Sequence, residues 1–282
     1  MHKQPLISVI IATYNRANCI RKAIRSVLTQ AYRNIELIII DDGSTDKTKE
    51  IVQLFLFDKR VHYVRQENKG ASIARNNAIK ISKGKYIAIL DSDDFWCGPK
   101  KLEKQVDFLE RNPEYALVGG GVIEVDKKGK EIMRYLLLEN DEDIRKAILV
   151  DNAFAHATAL FRKDTWEKVK GYDEEFDGLE DRDLWLKIGR LSKFYNFQEF
   201  FACHVGHDHK NLSYLDKNYS RTRQLKFNIK LRKKYRNDYP GYRKAILFCW
   251  ASYFYSFLSF KQKLRPFGLK FKKIIFSPSV FK

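Results

Sequence analysis

Four short apolar segments, each running into polar residues, organise the first hundred residues of the chain. They read ISVIIAT at 7–13, IELIIID at 35–41, VHYVRQ at 61–66 and YIAILD at 86–91. Stretches of helical character at 21–30, 45–55 and 72–82 separate them. Strands that are apolar on both faces belong to a parallel sheet covered by helices. The pattern therefore predicts an α/β fold with a mostly parallel sheet.

Polar residues follow each predicted strand at its carboxyl end. The groups are Thr13-Tyr14-Asn15, Asp41-Asp42-Gly43-Ser44, Asn68-Lys69-Gly70 and Asp91-Ser92-Asp93-Asp94. In an open parallel sheet these strand ends meet at one edge, and ligands bind in the crevice there. We therefore expect a polar ligand site at this edge.

Three carboxylates, those of Asp91, Asp93 and Asp94, crowd the end of the fourth strand. Like charges this close repel one another, so a positive partner is expected. Oxygen ligands suit Mg²⁺ or Mn²⁺, and a cation held by few carboxylates keeps positions open for the phosphate oxygens of a substrate. A solvated turn is the alternative for an isolated Asp-x-Asp pattern. An EF-hand is disfavoured because Trp96 stands where its loop needs Gly.

Four motifs in sequence carry a resemblance to a known family. They are SVIIATYNR, IIIDDGSTDKT, NKGASIARNNAI and GKYIAILDSDDFW. In this order and spacing they resemble family 2 glycosyltransferases of the bacterial surface-polysaccharide type, over roughly residues 6–210. The resemblance implies the GT-A fold, a Rossmann-like, mostly parallel sheet flanked by helices. We expect a catalytic domain at 1–212, with a nucleotide-binding half at 1–112 and an acceptor-binding half at 113–212.

The resemblance also implies which side chains contact the nucleotide. Thr13, Tyr14 and Asp41 would line the base, and an aspartate paired with the uracil imide would favour uridine. Arg75, in the ARN segment, would approach the nucleotide, with Lys69 nearby. The donor expected from these residues is a UDP-sugar, with a GDP- or dTDP-sugar as the alternative.

Residues around the diphosphate follow from the same resemblance. Asp91 would face the ribose, and Asp93 would hold the Mn²⁺ or Mg²⁺ that bridges the diphosphate. A histidine of the CHVGHDHKNLS stretch, His207 or His209, would lie close to the metal, although a polar loop without a ligand role is the alternative. The remaining residues assigned to donor binding are Asn15, Ser92, Asp94 and Glu180.

The acceptor hydroxyl must lose a proton during transfer, which requires a base within hydrogen-bond reach. The segment GLEDRDLW at 178–185 looks like the family's ED motif, in which the Asp is the general base. The resemblance therefore assigns this role to Asp181 and implies inversion by direct single displacement. The alternative is that the acids only place negative charge on the first turn of a helix, where the macrodipole favours it.

Further elements are predicted in the second half of the chain. A helix is expected at about 99–111, a hairpin around Lys127–Lys130, a helix at 141–150 and an extended segment at 155–163. A helix starting near Glu180 should place Leu184, Trp185, Ile188 and Leu191 on one face.

Positive charge is concentrated in the predicted extension at 213–282. The chain carries +18, of which +16 lies from Leu215 onward. Helical segments there, broken at Pro240-Gly241 and Pro266, mix cations with aromatic residues. Such segments can lie on an anionic membrane, or can pack their aromatics on the catalytic domain. No nucleic-acid partner is expected, because no recognised motif accompanies the charge.

The cysteines and the start of the chain indicate where the protein resides. Four scattered cysteines form no CxxC pair, the start has no leader pattern, and no apolar run reaches membrane-spanning length. We expect a cytoplasmic enzyme, peripheral on the inner face of the membrane, that moves a hexose or N-acetylhexosamine to a glycan or lipid-linked oligosaccharide. The rival from another class is a non-catalytic membrane- or nucleic-acid-binding module on the same fold.

Overall fold

The computed structural model describes residues 4–205 and 220–257. Its strands are β1 (Ile7–Thr13), β2 (Ile35–Asp41), β3 (Val61–Arg65), β4 (Tyr86–Ile89), β5 (Phe95–Trp96), β6 (Tyr115–Val125), β7 (Glu131–Tyr135), β8 (Leu160–Arg162) and β9 (Lys193–Val205). Its helices are α1 (Ile20–Leu28), α2 (Thr48–Gln53), α3 (Ala71–Ile81), α4 (Lys101–Arg111), α5 (Asp141–Ala147), α6 (Lys163–Lys168), α7 (Glu180–Ile188), α8 (Arg221–Lys234) and α9 (Tyr242–Tyr255).

One sheet runs through the described chain in the order β3-β2-β1-β4-β8-β6-β9-β5, with β7 paired to β6. Strand β1 is parallel to β2 and β4, and β2 is parallel to β3, as predicted. Strand β8 is antiparallel to β4 and β6, whereas β6 and β9 are parallel. The chain moves outward from β1 to β3 and then returns to place β4 on the other side of β1. This reversal creates the crevice in which ligands of open α/β sheets bind.

Side chains of the central strands point alternately to the two faces of the sheet and build an apolar layer on each. Ile7, Val9 and Ile11 belong to a cluster with residues of α1 and α4. Ile10 and Ile38 belong to a second cluster with residues of α3, α5 and α7. Both faces of the parallel strands are therefore covered, which is why these strands read as nearly continuous apolar runs.

Helices α8 and α9 contribute to the second cluster. Leu231, Tyr235, Tyr239 and Ala245 are buried in it together with Trp185 of α7. Gly241, with φ of 84°, is the N-cap of α9 and ends the break between the two helices that the Pro240-Gly241 pair predicts. Tyr235 and Tyr239 of the extension thus pack on the rest of the protein. No helix within the described ranges is long and apolar enough to cross a membrane.

Several elements differ from the prediction. Strands β5 and β9 are not predicted by the sequence pattern, and the expected extended segment at 155–163 is a 3₁₀ turn (His156–Thr158) followed by the short β8. The placement of Leu191 is wrong: α7 ends at Ile188, and Leu191 lies beyond it with 56% of its side chain exposed. The hairpin of β6 and β7 is confirmed.

Candidate active site

The DSDD segment forms a tight turn directly after β4. The amide of Asp94 donates to the carbonyl of Asp91 over 3.0 Å and closes the turn. Asp91, Asp93 and Asp94 are partly exposed, whereas Ser92 is buried. The sequence thus places three carboxylates at the carboxyl end of a central strand, as predicted.

Asp91 lies between a guanidinium and an imidazole. Nη2 of Arg75 is 2.9 Å from Oδ1 of Asp91, and Nδ1 of His156 lies 3.0 and 3.1 Å from the two carboxylate oxygens. Burial alone would raise the pKa of Asp91, but His156 and Arg75 outweigh burial and hold this pKa far below its usual range. Asp91 is therefore a fixed anion.

Arg75 also pairs with the second acidic motif. Its Nη1 is 2.7 Å from Oε1 of Glu180 at the start of α7. The other oxygen of Glu180 accepts from the amide of Gly178. Arg75 and Glu180, both predicted to bind the nucleotide sugar, are 105 positions apart in sequence. Because Arg75 also pairs with Asp91, it links the DSDD turn to the ED motif.

His156 and Tyr172 complete this network, and the sequence analysis did not identify either. Because an ionised carboxylate only accepts, Nδ1 of His156 carries the proton toward Asp91. Nε2 of the same ring lies 3.0 Å from the hydroxyl oxygen of Tyr172. The side-chain amide of Asn76 fixes the backbone of Tyr172. It donates to the carbonyl of Tyr172 and accepts from the backbone amide of Tyr172, each over 2.9 Å. In the sequence, His156 is a single polar residue among alanines, which is the pattern of a core histidine.

Asp93 and Asp94 have weaker cationic partners. Nη2 of Arg16 lies 3.5 Å from Asp93, and Nε2 of His204 lies 3.4 Å from Asp94. Burial raises the pKa of Asp94 well above its usual value, and the charges of Asp91 and Asp93 raise it further. Burial lowers the pKa of His204, so this imidazole supplies little positive charge.

The loop after β1 is held against the loop after β2. Asn15 adopts a left-handed conformation with φ of 53°, and its side-chain oxygen accepts from the amides of Thr45 and Asp46 at 2.8 and 3.2 Å. The backbone amide of Asn15 donates to the hydroxyl of Ser44. Asn15 therefore fixes the shape of this edge. The neighbouring Tyr14 is 45% exposed.

Asp41 is fully buried below this loop. Its Oδ1 accepts from the amide of Ser44 at 2.8 Å, and its Oδ2 accepts from the hydroxyl of Tyr63 at 2.6 Å. Thr13 is also buried, and its hydroxyl has no hydrogen-bond partner within the described residues.

Asp42, which the sequence analysis did not assign, organises the loop before α3. Its two carboxylate oxygens accept from the amides of Lys69 and Gly70, each at 2.9 Å. The side chain of Gln66 donates to the same carboxylate. Lys69 is exposed on this loop, beside the Asp41 strand end.

Asp181 lies on the first turn of α7 and faces a cavity of about 420 Å³. Its Oδ2 accepts from the side-chain amide of Asn152 over 2.6 Å, and its Oδ1 accepts from the amide of Arg182 over 2.7 Å. The cavity is also lined by Asp91, Asp94, Glu124, Met133, Tyr135, Leu137, Asp151, Asn152, Phe154, Ala155, His156 and His204. The DSDD turn and the ED motif thus share one cavity.

The predicted metal ligands stay predictions. His207 and His209 lie outside the described residues. Within the described ranges, no group of three or more His, Cys, Asp or Glu side chains is arranged to hold a metal ion. Within the described ranges, a cation beside Asp93 would therefore need further ligands, such as oxygens of a bound substrate or water.

Residues 8–169 match the sequence profile described as Glycosyl transferase family 2. The chain belongs to this family. Among curated family 2 relatives, an uncharacterised glycosyltransferase of Rickettsia bellii is 34% identical over 68% of this chain and 28% of its own length. EpsE of Bacillus subtilis, named as a glycosyltransferase, is 34% identical over 71% of this chain and 72% of its own length. TuaG of the same organism, named for teichuronic acid biosynthesis, is 43% identical over 44% of this chain and 50% of its own.

Solved structures confirm the predicted GT-A fold of this family 2 member. Staphylococcus aureus TarS in complex with UDP-GlcNAc is similar with a TM-score of 0.65 and 18% identity, over 80% of this chain and 65% of that one. The mannosyltransferase PcManGT of Pyrobaculum calidifontis, in complex with GDP-Man and Mn²⁺, has a TM-score of 0.65 and 20% identity, over 89% and 70%. The match over residues 8–169 confirms the predicted family.

Proposed function

We propose that this family 2 protein transfers a hexose or N-acetylhexosamine from a UDP-sugar to an acceptor hydroxyl, with inversion at the sugar. One observation carries the proposal: carboxylates of the DSDD turn and Asp181 of α7 line the same 420 Å³ cavity. Asp91 and Asp181, which are 90 positions apart in sequence, thereby line one cavity. Cavities of this size hold a sugar-sized ligand.

The nucleotide is proposed to lie over the ends of β1 and β2. Tyr14 offers an exposed ring for the base. The adjacent Thr13 offers a buried hydroxyl that has no hydrogen-bond partner among the described residues. Both oxygens of Asp41 already accept one hydrogen bond. A carboxylate oxygen has a further lone pair, so Asp41 can still accept from a uracil imide.

Arg75, Asp91 and Glu180 act together on the donor side. The two carboxylates hold the guanidinium in place, so Arg75 presents a preorganised positive charge beside the diphosphate. Since Asp91 remains ionised, it can accept from ribose hydroxyls. TarS with UDP-GlcNAc and PcManGT with GDP-Man differ in their nucleotide, so a GDP-sugar remains the second candidate donor.

The residues of the DSDD turn fit a divalent cation. The raised pKa of Asp94 results from burial and from the charges of Asp91 and Asp93, and a cation would relieve this repulsion. Asp93 would hold the cation, with donor phosphate oxygens as the other ligands. When bound, Mn²⁺ or Mg²⁺ would neutralise the charge that develops on the leaving diphosphate. PcManGT provides a Mn²⁺-bound structural neighbour.

Asp181 is proposed to accept the proton of the acceptor hydroxyl. Asn152 donates to its Oδ2, which fixes the orientation of the carboxylate. An ionised, oriented carboxylate within hydrogen-bond reach of the acceptor is what a general base requires.

The acceptor is proposed to belong to cell-surface polysaccharide synthesis, as the name of TuaG suggests for that relative. Helix α9 and the two residues after it expose Leu247, Trp250, Phe254 and Phe257, spaced so that they share one face. Together with the basic tail, this face would hold the protein on the inner, anionic surface of the cytoplasmic membrane, where a lipid-linked acceptor would be available. Equal binding to neutral and anionic vesicles at low salt would contradict the electrostatic part of this proposal.

A donor panel tests the proposed chemistry. UDP-, GDP- and dTDP-sugars are compared for slow hydrolysis and for thermal stabilisation, with Mn²⁺, with Mg²⁺ and with chelator. Because a ligand that binds only the native state raises stability, one UDP-sugar should stabilise the protein in a metal-dependent way. If folded protein responds to no donor, the non-catalytic binding module becomes the better interpretation.

A further inference from the structure

A second pocket, of about 590 Å³, borders the DSDD turn at Asp93. It shares no described lining residue with the cavity that Asp181 faces. Five cationic side chains belong to its described lining, those of Arg16, Arg21, Lys22, Arg25 and Lys127. We call it the basic pocket.

Three of these cations lie on one face of α1. Arg21 and Arg25 are four residues apart, and Lys22 and Arg25 are three apart, so each pair of side chains is neighbouring on the helix surface. The ammonium of Lys22 lies 3.4 Å from the centre of the Phe95 ring, which directly follows the DSDD turn. This face of α1 therefore borders the turn, and one ligand can meet both arginines.

The cations of α1 are available to a ligand. In the part of the chain that the structure describes, Arg21, Lys22 and Arg25 form no ion pair, and Lys22 and Arg25 are exposed. The two carboxylates of the lining have other contacts. Asp93 lies 3.5 Å from Arg16. Asp126 accepts from backbone amides of its own turn at 2.8 and 2.9 Å.

The loop that leads into α1 is fixed by hydrogen bonds. The amide of Arg16 donates to the hydroxyl of Thr48 over 2.8 Å, and the amide of Ala17 donates to the carboxylate of Asp46 over 3.1 Å. The start of α1 is thus held against the start of α2. A frame that is fixed before a ligand arrives lowers the entropic cost of binding.

We propose that the basic pocket binds a diphosphate group, with Arg21 and Arg25 as its main cations and Lys22 beside them. Guanidinium groups bind phosphate oxygens through paired, charge-assisted hydrogen bonds. The volume of the pocket lies in the range of roughly 300–1,000 Å³ that is usual for small-molecule sites, so it exceeds what a single phosphate group needs.

The source of the diphosphate rests on the proposed function, which offers two. One is the nucleoside diphosphate of the donor, whose metal ion would lie at Asp93. The other is a lipid-linked acceptor that carries a diphosphate. In the second case the saccharide between the diphosphate and the accepting hydroxyl would be short, because the basic pocket and the cavity of Asp181 border the same turn.

Calorimetry with inorganic pyrophosphate tests the site itself. It is done in chelator and at constant ionic strength, so that metal binding and general screening do not contribute. The double variant Arg21→Gln and Arg25→Gln should weaken the pyrophosphate affinity of the full chain about tenfold, which corresponds to about 1.4 kcal/mol. The matched control, Lys49→Gln and Lys80→Gln, removes two exposed charges from α2 and α3 outside the pocket and should bind like the wild type.

Two results of this titration overturn the proposal. One is the absence of pyrophosphate binding by the folded wild type. The other is an equal loss of affinity in the two double variants, which would show a general effect of charge. Arg25→Glu replaces attraction by repulsion and should abolish binding, and pyrophosphate affinity like that of the wild type in this variant would also contradict the site. Urea unfolding of each variant checks that these exposed substitutions leave the fold intact.

UDP and a prenyl diphosphate distinguish the two sources. If the donor supplies the diphosphate, the double variant of Arg21 and Arg25 should bind UDP with Mn²⁺ about tenfold more weakly than the wild type. If the acceptor supplies it, UDP binding should be unchanged, and geranyl diphosphate but not geraniol should compete with pyrophosphate. Unchanged UDP binding without this competition would overturn the proposal. Pyrophosphate binding requires no turnover, so a donor panel without response would reject the proposed function and leave the basic pocket standing.

Discussion

Replacing Tyr235 by Phe removes one hydroxyl and keeps the buried ring, which tests how firmly the described part of the extension is held to α7. The hydroxyl of Tyr235 donates to Oδ1 of Asp183 over 2.7 Å. Asp183 is completely buried, and Lys234 and Lys187 lie 2.8 and 3.0 Å from its two oxygens. Burial, together with Asp183, raises the pKa of Tyr235, so the hydroxyl is protonated and donates at neutral pH.

The expected loss follows from the charge of the acceptor. A hydrogen bond to a charged group contributes about 1.5–3 kcal/mol, whereas a bond between neutral groups contributes about 0.5–1.5 kcal/mol. Tyr239 provides a matched comparison, because its buried hydroxyl donates to the neutral carbonyl of Leu186 over the same 2.7 Å. Tyr235→Phe should therefore destabilise the protein by about 1 kcal/mol more than Tyr239→Phe.

Urea unfolding measures both variants against the wild type, with the free energy of unfolding obtained by linear extrapolation. Equal m-values would show that the two variants change stability rather than the extent of unfolding. If Tyr235→Phe costs no more than Tyr239→Phe, the buried carboxylate does not hold the extension in the way described. A separate early transition in either variant would show that α8 and α9 unfold independently of the sheet.

Three further predictions concern the site and a buried lysine. Asp181→Asn should keep donor binding but lower transfer roughly 10²- to 10⁴-fold, as measured by release of the nucleoside diphosphate; full activity would remove Asp181 from the mechanism. Asp93→Ala should weaken donor binding only when metal is present, so an unchanged metal response in calorimetry would contradict its role as a ligand. Lys101 is 1% exposed, and burial lowers its pKa well below the usual value. Since the unfolded state then binds more protons, stability should rise with pH toward about 10, and Lys101→Met should stabilise the protein by about 1–3 kcal/mol at pH 7. That gain should shrink as pH rises in pH-dependent urea titrations, and a constant gain would contradict the charge argument.

The parallel half of the sheet was predictable because its strands are local apolar runs with a clear helix between each pair. Strands β1 and β2 begin and end at the predicted residues. Strand β9 was not predictable in this way. Its sequence KFYNFQEFFACHV mixes polar and aromatic residues without a clean period, and its partner β6 precedes it by about 80 positions. Pairing over such a distance is decided by tertiary packing rather than by local pattern.

The carboxylates of the candidate site and Arg75, which pairs with two of them, were visible in the sequence, but His156 and Asn152 were not. Acidic residues after a strand stand out, whereas His156 and Asn152 lie in a segment without a recognisable pattern. Their roles depend on the path of the chain between α5 and β8, which brings them to Asp91 and Asp181. Asp42 was missed for a different reason: its neighbour Asp41 was the residue of the DDGS segment that received a role.

The shared burial of α8 and α7 has a consequence for engineering. Chimaeras between relatives are often built by exchanging a C-terminal segment at a sequence boundary, and residue 213 would be the natural junction here. Leu231, Tyr235 and Ala245 lie in the same apolar cluster as Trp185 and Leu186. A graft at that junction would divide one core between two parents, so the transplanted segment must bring the matching surface of α7 with it.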